Sequence, residues 1–186
     1  MKKIGIDIDD TITYTNSFLI DEAIKYDKLI GGKGFKNKDA YNFTEMFFWT
    51  LDDKKNFFNY LKDNELLTRL EVRKDFKEVI DELSNIAEIY FISSRSEKSF
   101  KNAFIQTGKW LEDNNINYKM LFTNTNAKSD ILKEYKIDLF IDDFVSNCEE
   151  AIASNIDTLL MTSDYNKDSS LKRVDNWYQI LEYIRK

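Results

Sequence analysis

Histidine and proline are absent from this chain of 186 residues, and cysteine occurs once, at Cys148. Without histidine there can be no Ser-His-Asp triad, no Cys-His nucleophile pair and no His-ligated zinc site. One cysteine permits neither an internal disulfide nor a multi-Cys metal site. Acid–base chemistry is therefore left to carboxylates, lysines and tyrosines. Glycine is scarce as well: of five, three (Gly31, Gly32 and Gly34) fall in "GGKG", which lacks the GK[ST] ending of a phosphate-binding loop. No apolar run reaches the ~18 residues that a membrane span needs. The apolar start of "MKKIGIDIDD" is broken by Asp7, so no secretion signal is expected. The expectation is a soluble, cytoplasmic protein. Its net charge of −6 and pI near 4.9 argue against duplex nucleic acid as a partner.

What is present is a globular composition, with 42% hydrophobic and 32% charged residues. The length suits one core with a small inserted subdomain. Short apolar runs rich in β-branched or aromatic residues predict strands at 2–8, 87–93, 118–122, 137–142 and 157–162. Helical patterns fall at 75–85, 98–114, 129–136, 145–154 and 175–185. Strand–helix alternation with short connections predicts an α/β fold with a mainly parallel, Rossmann-like sheet. Residues 15–71 differ. They are aromatic-rich, show helical patterns near 17–29 and 52–62, and carry no convincing strand. The predicted division is a catalytic core of residues 1–14 and 72–186, with a helical cap of residues 15–71 inserted after the first strand.

In open α/β sheets, ligands bind beyond the carboxyl ends of the strands. After the first predicted strand come Asp7, Asp9 and Asp10. After the second come Ser93, Ser94 and Arg95, past the third Lys128, and at the end of the fourth Asp142 and Asp143. Asp7 and Asp9, two apart, leave the same side of an extended strand. With Asp142 and Asp143 they form an all-oxygen set suited to Mg²⁺. The serines offer hydroxyl and backbone donors, and Lys128 a point charge for a phosphate. Carboxylate nucleophile, second carboxyl, metal and phosphate cradle together describe phosphoryl transfer through an aspartyl-phosphate. A Ca²⁺ helix–loop–helix is excluded, because its sixth and twelfth loop positions, counted from Asp7, are Ile12 and Phe18.

"DIDDT", "FISSR", Lys128 and "FIDD", in that order, resemble the four motifs of the haloacid dehalogenase superfamily of phosphatases over essentially the whole chain. Within it, "TGKWL" (107–111), "DLFIDD" (138–143) and "DYN" (164–166) are similar to elements of the 5′(3′)-deoxyribonucleotidases and their bacterial nucleotidase relatives. Two departures stand out: "LEVRKDF" replaces a Pro-rich turn, and "DYN" replaces "PYN". The resemblance implies a Mg²⁺-dependent phosphomonoesterase acting on a small phosphorylated metabolite, a nucleoside monophosphate. It implies Asp7 as nucleophile and metal ligand. Asp9 becomes the acid–base residue, with its carbonyl on the metal. Asp143 is the direct metal ligand, with Asp142 nearby, and Ser93, Ser94 and Lys128 hold the phosphate. Lys133 is a rival for the lysine role. Cap aromatics, Phe47, Phe48 and Trp49, are candidates for contact with the base, against the alternative that they form the cap's own core. A homodimer is compatible with this reading. Two other functions stay open: a polynucleotide 3′-phosphatase or other small-metabolite phosphatase on the same core, and a non-catalytic phospho-acceptor module.

Overall fold

The computed structural model describes residues 1–40, 42–125 and 127–186. Five strands expected from sequence form, and a sixth joins them: β1 (Lys2–Ile6), β2 (Ala87–Ile92), β3 (Met120–Phe122), β4 (Leu139–Asp142), β5 (Asp157–Met161) and β6 (Arg173–Val174). They make one parallel sheet in the order β3-β2-β1-β4-β5-β6. β6 has only two residues, too few for a periodicity to show. The helices are α1 (Thr15–Leu29), α2 (Phe43–Met46), α3 (Leu51–Asp63), α4 (Lys74–Ile86), α5 (Ala103–Asp113), α6 (Lys128–Glu134), α7 (Val145–Ala153) and α8 (Trp177–Arg185), with a 3₁₀ turn at Leu66–Arg69. α5 starts five residues later than its pattern suggested. Asn102 caps it by accepting the Ile105 N–H, and 98–102 is spent on turns.

The sheet is covered on both faces, as parallel sheets require. On one side Ile4, Ile6 and Ile8 pack with Phe76, Val79 and Leu83 of α4 and with Trp177 and Ile180 of α8. On the other, Tyr90, Ile92 and Phe140 pack with Leu132 of α6 and Ala151 of α7. Gly5, in β1, is paired in register with Tyr90 of β2 and Phe140 of β4. A Cβ there would stand 3.0 Å from Leu132 and 3.2 Å from Ile92 and Phe140, so a side chain would force the helix layer outward.

A separate aromatic cluster forms from α1, α2 and α3: Tyr26, Phe43, Phe47, Trp49, Phe57 and Leu61. Phe18 and Leu19 of α1 pack against both this cluster and the sheet's own core. Buried Asp27 organises its edge, accepting from Trp49 Nε1 at 2.7 Å and from the Gly34 N–H at 2.8 Å. Gly32 sits so close that a Cβ would stand 2.0 Å from the Asp27 carboxylate. The glycines of "GGKG" thus serve chain geometry around a buried carboxylate.

The chain runs outward from β1 through β2 to β3, then returns to β4 on the opposite flank of β1. The sheet order therefore switches between β1 and β4, and the carboxyl ends of these two strands open a crevice.

Candidate active site

β1 ends at Ile6, and the Asp7 N–H still bonds the Ile141 carbonyl of β4 at 2.9 Å. The chain then turns sharply. Ile12 N–H returns to the Ile8 carbonyl, and Asp10 adopts a left-handed φ of 60°. An Asp tolerates that conformation better than most residues because its short side chain can bond locally. Here it does: Asp10 Oδ1 accepts the Asn16 N–H at 2.9 Å in the first turn of α1, and Oδ2 accepts the Tyr165 hydroxyl at 3.1 Å. The turn also means that Asp7 and Asp9 do not share the face of an extended strand. They diverge.

Asp7 points into a buried cluster. Lys128, at the start of α6 and 3% exposed, donates to Asp7 Oδ1 and to Asp142 Oδ2, the latter at 2.8 Å. Asp142 also accepts from the Phe144 N–H at 2.7 Å and from Asn147 Nδ2 at 3.0 Å. Asp143 accepts from Thr11 Oγ1 at 2.9 Å and from the Tyr165 hydroxyl. Its carbonyl is bonded by Asn166 Nδ2 at 2.7 Å. Carboxylate oxygens of Asp7, Asp142 and Asp143 lie within 4.8 Å of one another. Burial pushes the Asp7 carboxyl up to about 7; Lys128 opposes the shift, while Asp142 and Asp9 add to it. Asp143 is raised well above the usual carboxylate range by burial and by the charges of Asp142 and Asp7. Lys128 is raised as well, because its two carboxylate partners outweigh the cost of burying its charge. Lys133 is exposed at the other end of the same helix, so the contact with Asp7 belongs to Lys128.

Asp9 turns toward the loop after β2. Arg95 grips it with two bonds, Nε to Oδ2 at 2.9 Å and Nη2 to Oδ1 at 2.8 Å, and Thr15 Oγ1 adds a third at 2.8 Å. Burial acts to raise Asp9, but the Arg95 charge and hydrogen bonds, helped by Thr15, outweigh it and hold the carboxyl below its ordinary value. "SSR" offered Arg95 in the sequence, yet only the fold shows that it reaches Asp9, 86 positions away. Ser93 is fully buried, and its hydroxyl accepts the Arg95 N–H at 3.2 Å. Ser94 lines the open cleft, its hydroxyl bonded to the Thr125 carbonyl at 3.0 Å.

That cleft, of about 400 Å³, is floored by Asp7, Asp9, Lys128, Asp142 and Asp143 and walled by Asn16, Leu19, Phe58 and Leu67. Phe47, Phe48 and Trp49 are not among its lining residues. Phe47 and Trp49 are stacked 4.7 Å apart inside the helical cluster, and Phe48 is exposed away from the cleft, next to Lys33. From residues 15–71 the aromatic that lines the cleft is Phe58 of α3, half-buried and packed edge-on to Phe43; Phe100, Phe144 and Tyr165 line it from elsewhere in the chain. A helical pattern alone does not say which face of α3 turns to the site.

A parallel sheet with carboxylates at its switch point and a helical insertion after β1 defines a hydrolase fold of the haloacid dehalogenase type. Two solved structures share it over nearly their whole length. One is a HAD-superfamily hydrolase from Geobacter sulfurreducens, with a TM-score of 0.69 at 13% identity, covering 99% of this chain and 96% of that one. The other is YfnB of Bacillus subtilis, described as a HAD-hydrolase bound to magnesium, with a TM-score of 0.67 at 12% identity, covering 100% and 99%. Residues 34–186 match the family described as 5′ nucleotidase, deoxy (pyrimidine), cytosolic type C, and the chain belongs to that family of phosphatases. It is also 30% identical over 183 residues to nucleotidase CA_C3379 of Clostridium acetobutylicum, across 95% of this chain and 90% of that protein. Among the described residues, no helix is long and apolar enough to cross a membrane.

Proposed function

We propose that the protein hydrolyses nucleoside monophosphates, deoxyribonucleotides among them, by transferring the phosphoryl group to Asp7 and then to water. The observation that carries this reading is the juxtaposition of Asp7, Lys128, Asp142 and Asp143 at the switch point, with Asp9 held apart on its own partner. Three buried carboxylates facing one lysine leave an excess of negative charge. Such an all-oxygen donor set fits a hard divalent cation, Mg²⁺, with Asp7, Asp143 and the Asp9 carbonyl as ligands and Asp142 nearby. When bound, the cation neutralises the carboxylates and polarises a phosphoryl oxygen.

The chain's own groups then divide the work. A carboxylate oxygen of Asp7 attacks phosphorus. Lys128 offsets the charge of the incoming phosphate and keeps Asp7 oriented. Ser94, with the N–H groups around Ile8 to Asp10, holds phosphoryl oxygens, whereas Ser93, expected from sequence to share that role, is fully buried and accepts the Arg95 N–H instead. Asp9 passes a proton to the departing sugar oxygen and later takes one from the water that cleaves the aspartyl-phosphate. Residues 15–71 act as the cap, and Phe58 with Leu19 and Leu67 gives the nucleoside an apolar wall.

The test is phosphate release from a panel of nucleoside monophosphates and sugar phosphates. Turnover of nucleotides with Mg²⁺, lost with EDTA and in Asp7→Asn, is the expected result. Activity on sugar phosphates alone would overturn the substrate assignment, and an active Asp7→Asn protein would overturn the mechanism.

A further inference from the structure

Arg95 is built into the site far more firmly than a surface ion pair. Its side chain is 1% exposed. The guanidinium lies over two aromatic rings, 5.2 Å from the centroid of Phe100 and 5.1 Å from that of Trp110. Trp110 is itself pinned, its Nε1 donating to the Leu70 carbonyl at 2.9 Å. Contact with two rings holds the fork in place, so the direction of its N–H bonds is set before any substrate arrives.

What the fork does to Asp9 follows from counting acceptors. A carboxylate offers about four lone-pair directions. Oδ1 receives two donors, Arg95 Nη2 and Thr15 Oγ1, while Oδ2 receives only Arg95 Nε. One direction, on Oδ2, is left for a proton. Asp9 nevertheless remains a third exposed and lines the cleft. Arg95 Nη1 is buried and without a partner among the described residues. A pair selected for stability alone would not leave a buried donor unpaired.

We propose that Arg95 is a positioning residue that presents Oδ2 of Asp9 as the base for hydrolysis of the aspartyl-phosphate. This inference rests on the acid–base role given to Asp9 above. In that step the water oxygen bonds to phosphorus and the bond from phosphorus to the Asp7 oxygen breaks. Its electron pair returns to the Asp7 carboxylate, and the water's proton passes to Asp9 Oδ2.

p-Nitrophenyl phosphate separates this step from the first, because its leaving group departs without a proton. With Mg²⁺ and the full chain, Arg95→Lys and Arg95→Gln are expected to lower kcat by about 100-fold, within the range for one acid–base group. KM should fall in parallel, leaving kcat/KM within about threefold of the wild type. Stopped-flow traces should then show a burst of p-nitrophenolate near one per site, and acid-quenched protein should carry phosphate. Thr15→Ala, which removes the other Oδ1 donor, gives the same signature more weakly and covers the case in which an Arg95 variant does not fold. An unchanged kcat, or kcat and kcat/KM falling together without a burst, overturns the inference. Asp9→Asn is the control. If it turns over normally, the acid–base reading itself fails. If it shows the burst and the Arg95 variants do not, only the positioning role fails.

Discussion

Asp7 and Asp9 stand two residues apart, yet Asp7 is 6% exposed among Lys128, Asp142 and Asp143, whereas Asp9 is a third exposed and gripped by Arg95. On the Asp7 side, Asp7 and Asp142 share the Lys128 ammonium and Asp143 lies beside them, so ionising all three carboxyls would leave two negative charges over. On the Asp9 side, one carboxylate meets one guanidinium. The first arrangement holds a charge deficit matched to a divalent cation, and it raises Asp7 and Asp143. The second is electrically closed and lowers Asp9. A short acidic cluster is thereby divided into a half with unbalanced charge and a half whose charge is matched.

The largest effects should fall on turnover and should not distinguish the halves. Asp7→Asn removes the nucleophile and should lower kcat with nucleotides by about a thousandfold or more. Asp9→Asn should lower it by about a hundredfold to ten-thousandfold. Metal-free stability should distinguish them. The fold resists charge on Asp7, so Asp7→Asn should raise the thermal midpoint in EDTA. It favours charge on Asp9, so Asp9→Asn should lower it. Equal shifts of the same sign, measured by calorimetry, would break the comparison.

A pH series sharpens it. Raised carboxyls keep protons in the folded state that the unfolded chain has released. Asp7, raised from 3.8 to about 7, and Asp143, raised in the same sense, therefore contribute stability that is present at low pH. That stability is lost as pH climbs from about 4 through about 7. The thermal midpoint of the chelated protein should fall between pH 5 and pH 7.5. At one fixed concentration, Mg²⁺ should restore more at pH 7.5 than at pH 5, and about 2.7 kcal/mol where that concentration is a hundred times its dissociation constant. Asp9 works in the opposite sense, since a lowered carboxyl loses its contribution only as pH falls toward acid. A midpoint that rises with pH in EDTA would show that Lys128 offsets the cluster fully.

Which of these features could be read from the sequence depends on their range. The strand-end order Asp7, Ser93, Lys128, Asp142–Asp143 needs only alternation of strand and helix and the rule that ligands gather at carboxyl ends. Asp7, Lys128, Asp142 and Asp143 meet at the floor of the cleft and Ser94 lines it, whereas Ser93 is fully buried and outside the lining. The Arg95–Asp9 pair could not be read, because no local pattern joins residues 86 positions apart. Nor could the turn that sends Asp7 and Asp9 apart, which depends on the left-handed Asp10 and its bonds to Asn16 and Tyr165. The cap shows the same limit. "FFWT" and "NFFNYL" are equally aromatic, and only packing decides that Phe47 and Trp49 fill a core while Phe58 meets the cleft.

The smallest effect should come from that wall, and it carries the comparison from the floor of the site to its rim. Phe58 presents a ring to the cleft from a helix otherwise occupied with Phe43 and Phe57. If the nucleoside lies against it, Phe58→Ala should raise KM for nucleotides by about five- to tenfold, the value of a single base–ring contact at an open surface. kcat should hardly change, because the ring touches none of the reacting atoms. A phosphomonoester without a base, such as glycerol phosphate, should lose nothing. Phe48→Ala is the matched control, an equally aromatic residue that is 55% exposed and outside the cleft. Equal KM shifts in the two variants would place the base elsewhere, and a loss of kcat in Phe58→Ala would mean that the ring shapes the carboxylate floor as well as the wall above it.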